Sequence, residues 1–325
     1  MNKLIALALP TLLAFTHVPA RGQENHATYP SGPIRIVCAF PAGGGVDLMA
    51  RIVANHLQKA WGKSVVVENR VGAGGNVGAE NVYNSRPDGY TILASAPAPF
   101  TVNGALYRNL RYDPAKLAPV SIGAVTPIVL AVSLRAKVKT ADEFLKRVKA
   151  SPGAMNYASQ GLGTSGHLIS AMLEQKLGSQ LVHVPYNGAA PAINDLASGQ
   201  VDFLFSDLGG VKGLADAGKV LILATTTEKR APLIPDTPTF AELGVSDFIG
   251  DSWWGFAAPP STPLAIREKI AREIGEAVMA SDIISRFNAI GVQPLGNSPA
   301  QMQAIIDTDR QRWGGVIRSA KIVLD

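Results

Sequence analysis

The sequence predicts an α/β protein built from two doubly wound lobes, and three observations indicate this fold class. Apolar, β-branched runs alternate with helical periodicity along nearly the whole chain, which is typical of strands covered by helices. The alternation passes through two cycles, and a helical segment follows the second. A chain of 325 residues is also long enough for two domains, each with its own core.

The first cycle contains three strands with helical segments between them. The predicted strands are Ile34–Phe40, Ser64–Glu68 and Tyr90–Ser95. Apolar residues from Met49 to Ala60 repeat at helical spacing, and a second helix is expected from about Asn76 to Asn84. This β-α-β-α-β order predicts a parallel sheet covered by helices.

The second cycle begins near Ile128 and has the same character. Its predicted strands are Ile128–Leu134, Met155–Ser159, Leu181–Val184, Val201–Phe205 and Val220–Thr225. Its predicted helices are Thr140–Ala150, with Thr140 as N-cap and Glu143 at the capping-box position, His167–Leu177 and Gly188–Ser198. A return strand is predicted at Trp253–Ala257. Three helices then complete the chain, at Pro263–Met279, Asp282–Ile290 and Pro299–Ser319.

Two passages of the chain between the predicted sheets define a hinge. They are expected near Val125–Ile128 and again near Phe248–Trp254. One lobe then contains residues 29–126 together with 252–325, and the other contains residues 127–251. A ligand is expected in the cleft at the carboxyl ends of the strands.

Two glycine-rich tracts, one after each of the first two predicted strands, are Phe40–Asp47 and Glu68–Asn76. Each lies between a strand and a helix, where bare backbone N–H groups and the positive end of a helix face the same spot. Such a unit is built to hold an anion.

A third glycine loop, Gly161–Gly166, matches the spacing of the dinucleotide fingerprint. That fingerprint also needs an acidic residue after the next strand, and Val184–Asn187 offers none. The loop therefore indicates a backbone anion site, to which Thr164 and Ser165 add hydroxyl groups.

The first residues have the features of an export signal. Lys3 precedes an apolar stretch from Leu4 to Phe15, and residues 18–20 form a plausible cleavage site, which makes residues 1–20 a signal peptide. The apolar stretch is too short for a bilayer, which needs ~20 residues. The net charge of +5 comes from scattered residues, so nucleic acid is not an expected partner.

Patterns of catalytic or metal-binding residues are mostly missing from the sequence. There is no Gly-x-Ser-x-Gly nucleophile elbow, and the histidines do not stand at metal-ligand spacing. We expect no catalytic residues, no metal and no cofactor, and the single cysteine, Cys38, to be a small buried hydrophobe. An exported α/β hydrolase or transferase is kept as an alternative.

Several side chains have both a structural and a functional interpretation. Asp47 is interpreted first as a first-turn or capping residue of its helix and second as a group that orients a ligand or a neighbouring loop. Asn76 is interpreted first as an N-cap and second as a residue of the cleft. His167 begins a helix and is expected to be neutral, either donating to a ligand or packing. Trp253 and Trp254 are expected in core or hinge packing rather than in the cleft.

Motifs in order across nearly the whole mature chain resemble the Bug-type solute-binding proteins of tripartite tricarboxylate transporters. The matching stretches include Tyr29–Arg35, Phe40–Asp47, Val65–Gly78, Pro87–Thr91, Gly163–Leu168, His183–Gly188, Gly199–Asp202 and Arg312–Gly314. The resemblance implies a non-enzymatic, monomeric periplasmic binding protein of type II, a Venus-flytrap fold. Its implied partners are a small organic acid and the membrane permease subunits, and a ligand-binding role beside a membrane sensor is an alternative.

The resemblance also implies where a carboxylate binds. The family holds it through backbone groups that correspond to Ala42–Gly44 and Gly163–Ser165. Family ligands include dicarboxylates and tricarboxylates, amino acids and aromatic acids. Asp207 departs from the family's usual residue, which disfavours a simple polyanion such as citrate and suits a ligand amine, hydroxyl or amide. The expected ligand-binding residues are Ala42, Gly43, Gly44, Asp47, Ser95, Ser159, Gly163, Thr164, Ser165, His167, Tyr186 and Asp207.

Overall fold

Two mixed sheets with helices packed on them form the protein in a computed structural model that describes residues 28–324. The strands are β1 Ile34–Cys38, β2 Val65–Asn69, β3 Thr91–Ser95, β4 Ala118–Thr126, β5 Ile128–Ser133, β6 Asn156–Ser159, β7 Val182–Pro185, β8 Phe203–Asp207, β9 Val220–Thr225, β10 Ser252–Ala258 and β11 Gln293–Pro294. The α-helices are α1 Gly45–Trp61, α2 Asn76–Tyr83, α3 Ala98–Thr101, α4 Asn103–Leu106, α5 Ala141–Ala150, α6 Ser165–Leu177, α7 Ala189–Ser198, α8 Leu208–Asp216, α9 Leu264–Val278, α10 Ser281–Ala289 and α11 Pro299–Ala320. The predicted signal peptide, residues 1–20, lies outside the described residues.

The first sheet has six strands in the order β11-β4-β10-β3-β1-β2. The parallel pairing predicted for the first cycle is confirmed, since β1 pairs in parallel with both β2 and β3. The sheet as a whole is mixed, because β10 runs antiparallel to β3 and β4. Strand β4 was not predicted from the sequence. It lies beside the two-residue edge strand β11 and is almost wholly buried, although Pro119, Ser121 and Gly123 interrupt its apolar run.

The second sheet has five strands in the order β7-β6-β8-β5-β9. Strand β6 is parallel to β7 and β8, whereas β5 is antiparallel to β8 and β9. The chain passes from the first sheet to the second at Pro127 and returns between Thr225 and Ser252. Two crossings, one short and one long, therefore join two α/β lobes.

Helix starts follow the expected capping chemistry in part. The Thr140 hydroxyl accepts the backbone N–H of Glu143 at 3.2 Å, as predicted for the N-cap of α5. The Glu143 carboxylate, however, accepts the N–H of Lys139 at 2.7 Å rather than that of Thr140. Among the described residues, no helix is long and apolar enough to cross a membrane.

Each sheet has its own buried core. Ile36, Met49 and Phe256 belong to a core cluster of the six-stranded lobe, and Phe144 and Phe203 to a core cluster of the other. Helix α11 contacts both regions. It packs on β4, and its last turns contribute Trp313, Val316 and Ile317 to the core of the five-stranded lobe.

Candidate ligand-binding cleft

Glycine loops stand at the carboxyl ends of parallel strands in both sheets. The first follows β1, the second follows β2, and the third follows β6. Each leads into a helix, so the sequence and the parallel pairing together aim helix N-termini at the strand ends.

The first loop is open to solvent over residues 41–44. Two of its amides are used internally, since Gly43 donates to Asp47 Oδ2 at 2.9 Å and Gly44 donates to the Pro41 carbonyl at 3.3 Å. Within residues 28–324, no acceptor lies within hydrogen-bond distance of the N–H groups of Gly45 and Val46. These open amides at the start of α1 are suited to an anion.

Asp47 holds the first loop in shape. Its buried carboxylate accepts hydrogen bonds from Gly43, from both Nε and Nη2 of Arg51, and from Nδ2 of Asn69. Burial acts to raise its pKa, but the hydrogen bonds from Arg51, Gly43 and Asn69 outweigh burial and hold it below the ordinary value. Of its two functional interpretations, the loop-orienting role agrees with these contacts.

The second loop is fixed by amide side chains. Asn103 Nδ2 donates to the Gly74 carbonyl at 3.2 Å and to Asn76 Oδ1 at 2.6 Å, and the Tyr112 hydroxyl lies 2.9 Å from the same Oδ1. The N-cap of α2 is Gly75, so the prediction of Asn76 as N-cap is wrong. Its side chain is needed instead to join the loop to α4.

The third loop is braced from within. The Thr164 hydroxyl donates to the Gly161 carbonyl at 2.7 Å, and the Gly163 N–H donates to Nδ1 of His167 at 3.0 Å. Among the described residues, the N–H groups of Ser165 and Gly166 have no acceptor, and the Ser165 side chain is exposed. The start of α6 therefore offers open amides and a hydroxyl.

Three rings stack behind the third loop. The His183 ring lies 4.2 Å from that of His167 and 4.7 Å from that of Tyr157, at interplanar angles of 14° and 10°. Burial, with a smaller contribution from His183, lowers the pKa of His167 to about 4, so its ring is neutral at pH 7. Nδ1 is an acceptor in this neutral ring, and the ring supports the loop.

A serine–histidine pair that was not predicted occurs beside this stack. Ser159 Oγ and His183 Nε2 are 2.7 Å apart, brought together by the parallel pairing of β6 with β7. Ser159 is fully buried, and its hydroxyl also forms hydrogen bonds with Gly161. A nucleophile has to reach its substrate, and a fully buried serine does not. The pair therefore has a structural role, in which the Ser159 hydroxyl holds Gly161 of the third loop.

The remaining predicted residues lie at other strand ends. The Tyr186 hydroxyl donates to Asp195 Oδ2 at 2.6 Å; burial, together with Asp195, raises the Tyr186 pKa to about 12. Ser95 ends β3 and is fully buried, with no hydrogen-bond partner for Oγ among the described residues. Asp207 ends β8 with part of its residue surface exposed, while burial of its carboxyl group against neighbouring atoms raises its pKa to about 6.

A cavity of about 190 Å³ opens between the two lobes. Of the twelve predicted residues, Gly163, Thr164 and Ser165 line it. The other nine do not line this cavity, and their contact with a ligand stays a prediction: Ala42, Gly43, Gly44, Asp47, Ser95, Ser159, His167, Tyr186 and Asp207.

Sequence reasoning missed much of the cavity wall. Leu106 comes from α4, Asp251 from the second crossing and Trp313 from α11. Gly163 has a φ of +73°, and a Cβ there would lie 2.4 Å from Leu106 Cδ2, so the third loop touches α4 directly. No local pattern announces these contacts, because they arise between elements far apart in the sequence.

A second cavity, of about 400 Å³, lies between the crossings and α11. It is lined by Glu228, Asp251, Asp309 and Arg312 among others. Asp309 is buried and accepts hydrogen bonds from Trp253 Nε1 and Arg312 Nη1, both at 3.0 Å. Trp253 therefore packs at the hinge, as expected from the sequence.

One group of possible metal ligands occurs in the described residues. His56, Glu273 and Glu276 place their ligand atoms within 4.8 Å of one another. His56 Nε2 is 3.0 Å from Glu273 Oε2, and Trp61 Nε1 donates to Glu273 Oε1 at 3.1 Å. These contacts account for the group as a polar network between α1 and α9.

The two lobes, the double crossing and the interlobe cavity define the class of hinged solute-binding proteins. More particularly, the chain belongs to the tripartite tricarboxylate transporter receptor family, whose model (TctC, tripartite tricarboxylate transporter family receptor) matches residues 49–322. The family and the solved relatives are solute-binding receptors and not enzymes, and the predicted fold class is confirmed.

Relatives support this assignment over nearly the whole chain. Protein BugT of Bordetella pertussis is 35% identical over 293 residues, which cover 90% of each chain. The structure of R. palustris Rpa4515 with adipate has 32% identity and a TM-score of 0.79, covering 91% of this chain and 100% of that one. MatC (Rpa3494) from Rhodopseudomonas palustris, with bound malate, has 28% identity and a TM-score of 0.75, with coverages of 89% and 100%.

Proposed function

We propose that this protein captures a small carboxylate in the periplasm and delivers it to the membrane permease subunits of a tripartite tricarboxylate transporter. The observation that carries this proposal is the interlobe cavity bordered by the open amides that begin α6. Helix N-termini and unpaired N–H groups favour anions. The family membership supplies the transport role.

The relatives support a carboxylate as the ligand. Rpa4515 was solved with adipate and MatC with malate, and both cover this chain almost completely. A charge-assisted hydrogen bond contributes about 1.5–3 kcal/mol. Several such bonds from the Ser165–Gly166 and Gly45–Val46 amides supply the roughly −8 kcal/mol of micromolar binding without an ion pair.

The finer parts of the proposal concern location and mechanism. Residues 1–20 act as a cleaved signal peptide, and the mature protein works as a monomer in the periplasm. Two solved relatives, a periplasmic transporter and the periplasmic binding protein BugD, support this location. Residues 29–126 with 252–325 move against residues 127–251 about the two crossings, except that the last turns of α11, which pack into the five-stranded core, stay with residues 127–251. Closure brings the first loop, with Ala42–Gly44, and the third loop onto one ligand.

A panel of organic acids tests the proposed function. A bound acid stabilises the folded state by about 2.7 kcal/mol at a hundredfold excess over Kd, so we expect a rise in Tm. Small-angle scattering of the same sample should show compaction as the hinge closes. Neutral analogues, such as the corresponding amides, serve as matched controls. A broad panel that gives neither a thermal shift nor compaction contradicts the assignment of a carboxylate ligand.

A further inference from the structure

The interlobe cavity has a predominantly apolar wall. Phe40, Pro97 and Leu106 line it from the side of the six-stranded sheet, and Leu162 and Leu168 line it from the third loop and α6. Trp313 of α11 closes one side. A wall of this kind favours an apolar ligand body over a hydrated one.

Charge at the cavity is one-sided. The lining residues include no lysine, arginine or histidine, and Asp251 is their only carboxylate. Oδ1 of Asp251 is buried and has no hydrogen-bond partner among the described residues. A second anionic group of a ligand would therefore meet a carboxylate and no cation of the cavity wall, since Arg312, which interacts with Asp251, lines the second cavity and not this one.

The size of the cavity limits the apolar body. A dry cavity of about 150 Å³ lined by Leu, Ile and Phe holds one benzene molecule. The interlobe cavity, at about 190 Å³, has room for one six-membered ring with a small substituent.

We propose that the cleft selects a monocarboxylate with a compact apolar body, about one ring in size, and disfavours dicarboxylates. The ligand carboxylate lies on the open amides at the start of α6, beside Thr164 and Ser165, and the ring contacts Leu106, Leu162 and Trp313. This inference rests on the proposed function as a carboxylate receptor. It separates this chain from its relatives solved with adipate and malate.

Asp251 is the specificity-determining residue in this arrangement. It belongs to the second crossing and lines the cavity beside Ser252. Its charge repels a second carboxylate, and its carboxylate at the cavity wall can accept a hydrogen bond from a hydroxyl or amine substituent on the ring.

Calorimetric titration of the purified full-length mature protein with four acids tests the inference. Benzoate and cyclohexanecarboxylate are the monocarboxylate probes, and adipate and malate are the dicarboxylate probes. Burial raises the pKa of Asp251 to about 7, so the titration is made at about pH 8, where the carboxylate is mostly ionised. We expect the monocarboxylates to bind at least about tenfold more tightly.

Two pairs of variants test the residues. Asp251→Asn should improve the affinity for adipate relative to benzoate by about fivefold or more. Glu228→Gln is its control and should leave this ratio unchanged, since Glu228 lines the second cavity and not the interlobe cavity. Leu162→Asn should weaken the binding of benzoate by about tenfold, because it removes apolar surface from the cavity wall. Val182→Asn is its control, since both side chains are about half exposed, at 54% and 49%, and Val182 does not line the cavity.

The outcomes separate this inference from the proposed function. Equal or tighter binding of adipate or malate overturns the assignment of an apolar monocarboxylate as the ligand, while the proposed function as a carboxylate receptor stands. An unchanged adipate-to-benzoate ratio in Asp251→Asn overturns the role of Asp251. If all four acids fail to bind a folded protein, the inference is overturned, whereas the proposed function falls only when the broad panel fails as well.

Discussion

The Trp254 indole occupies the space that a side chain on Gly45 would need. A Cβ atom at Gly45 would lie 2.1 Å from Cζ2 of Trp254. Gly45 begins α1 and Trp254 belongs to β10, so this contact fixes the first glycine loop to the strand that follows the second crossing. The glycine is thus required by packing, in addition to any role of its amide.

Gly45→Ala should destabilise the protein by about 1–3 kcal/mol, because the new methyl group has to displace a partly buried indole. Urea unfolding followed by circular dichroism measures this. Gly44→Ala is the matched control, since Gly44 has an ordinary φ of −77° and its Cβ would meet only the Pro41 carbonyl, at 3.3 Å. Equal stability of the two variants would refute the packing argument.

Asp47→Asn should also destabilise the protein, by ~2 kcal/mol, because an amide would point a donor at groups that already donate. Arg51 is half exposed, so solvent screens part of the ionic contribution. Asp216→Asn is the control, since Lys212 and Asp216 form an exposed pair with the same spacing of four residues. A change within about 0.5 kcal/mol is expected there. Similar losses in both variants would argue against a loop-bracing Asp47.

The stacked histidines should contribute a loss of stability as the pH falls from about 7.5 toward 4. Burial lowers the pKa of His167 to about 4 and also lowers that of His183. Between these pH values the unfolded chain binds protons that the folded rings do not, so the free energy of unfolding falls with pH. Above about pH 7.5 these rings are neutral in both the folded and the unfolded chain and give no slope.

The comparison has to be made against a variant, because Asp251 and Asp207, whose pKa values burial raises to about 7 and about 6, act in the opposite direction. His167→Asn retains an acceptor for the Gly163 N–H and removes one titrating ring. Melting curves of parent and variant from about pH 7.5 to 4.5 should converge toward low pH. Parallel curves would show that His167 does not contribute to the slope.

Gly44→Val tests the prediction that the first loop contacts the ligand. Its methyl groups would block close approach to the open backbone, and we expect affinity for a bound acid to fall at least about tenfold. The protein should still fold, because Gly44 is exposed and has φ in the ordinary range. Gly213→Val is the control, since Gly213 is exposed on α8 and a Cβ there would have no atom within 4 Å. Unchanged affinity in a folded Gly44→Val protein would exclude the first loop from the site.

Local periodicity was enough to predict most elements of the fold. Strand β1 and helix α1 were recognised because one is a continuous apolar run and the other repeats at helical spacing. Strand β4 was not, because Pro119 and Gly123 resemble loop residues. Its strand character comes from pairing with β10 and β11, which lie more than a hundred residues further along the chain.

The candidate site divides in the same way. Glycine spacing predicted the third loop, whose Gly163–Ser165 segment lines the interlobe cavity. Asp251 and Trp313 were missed, since only the folded arrangement of the second crossing and α11 brings them there. The stacking of His183 on His167 likewise depends on the order of β7 and β6 in the sheet.

Helix α11 changes how motion of this receptor can be observed. Its last turns pack into the five-stranded core, so a dye attached at exposed Ser319 travels with that lobe. A dye at exposed Lys59 on α1 travels with the other. Energy transfer between these two positions would report opening and closing directly, which makes the C-terminal helix a natural attachment point for a carboxylate biosensor.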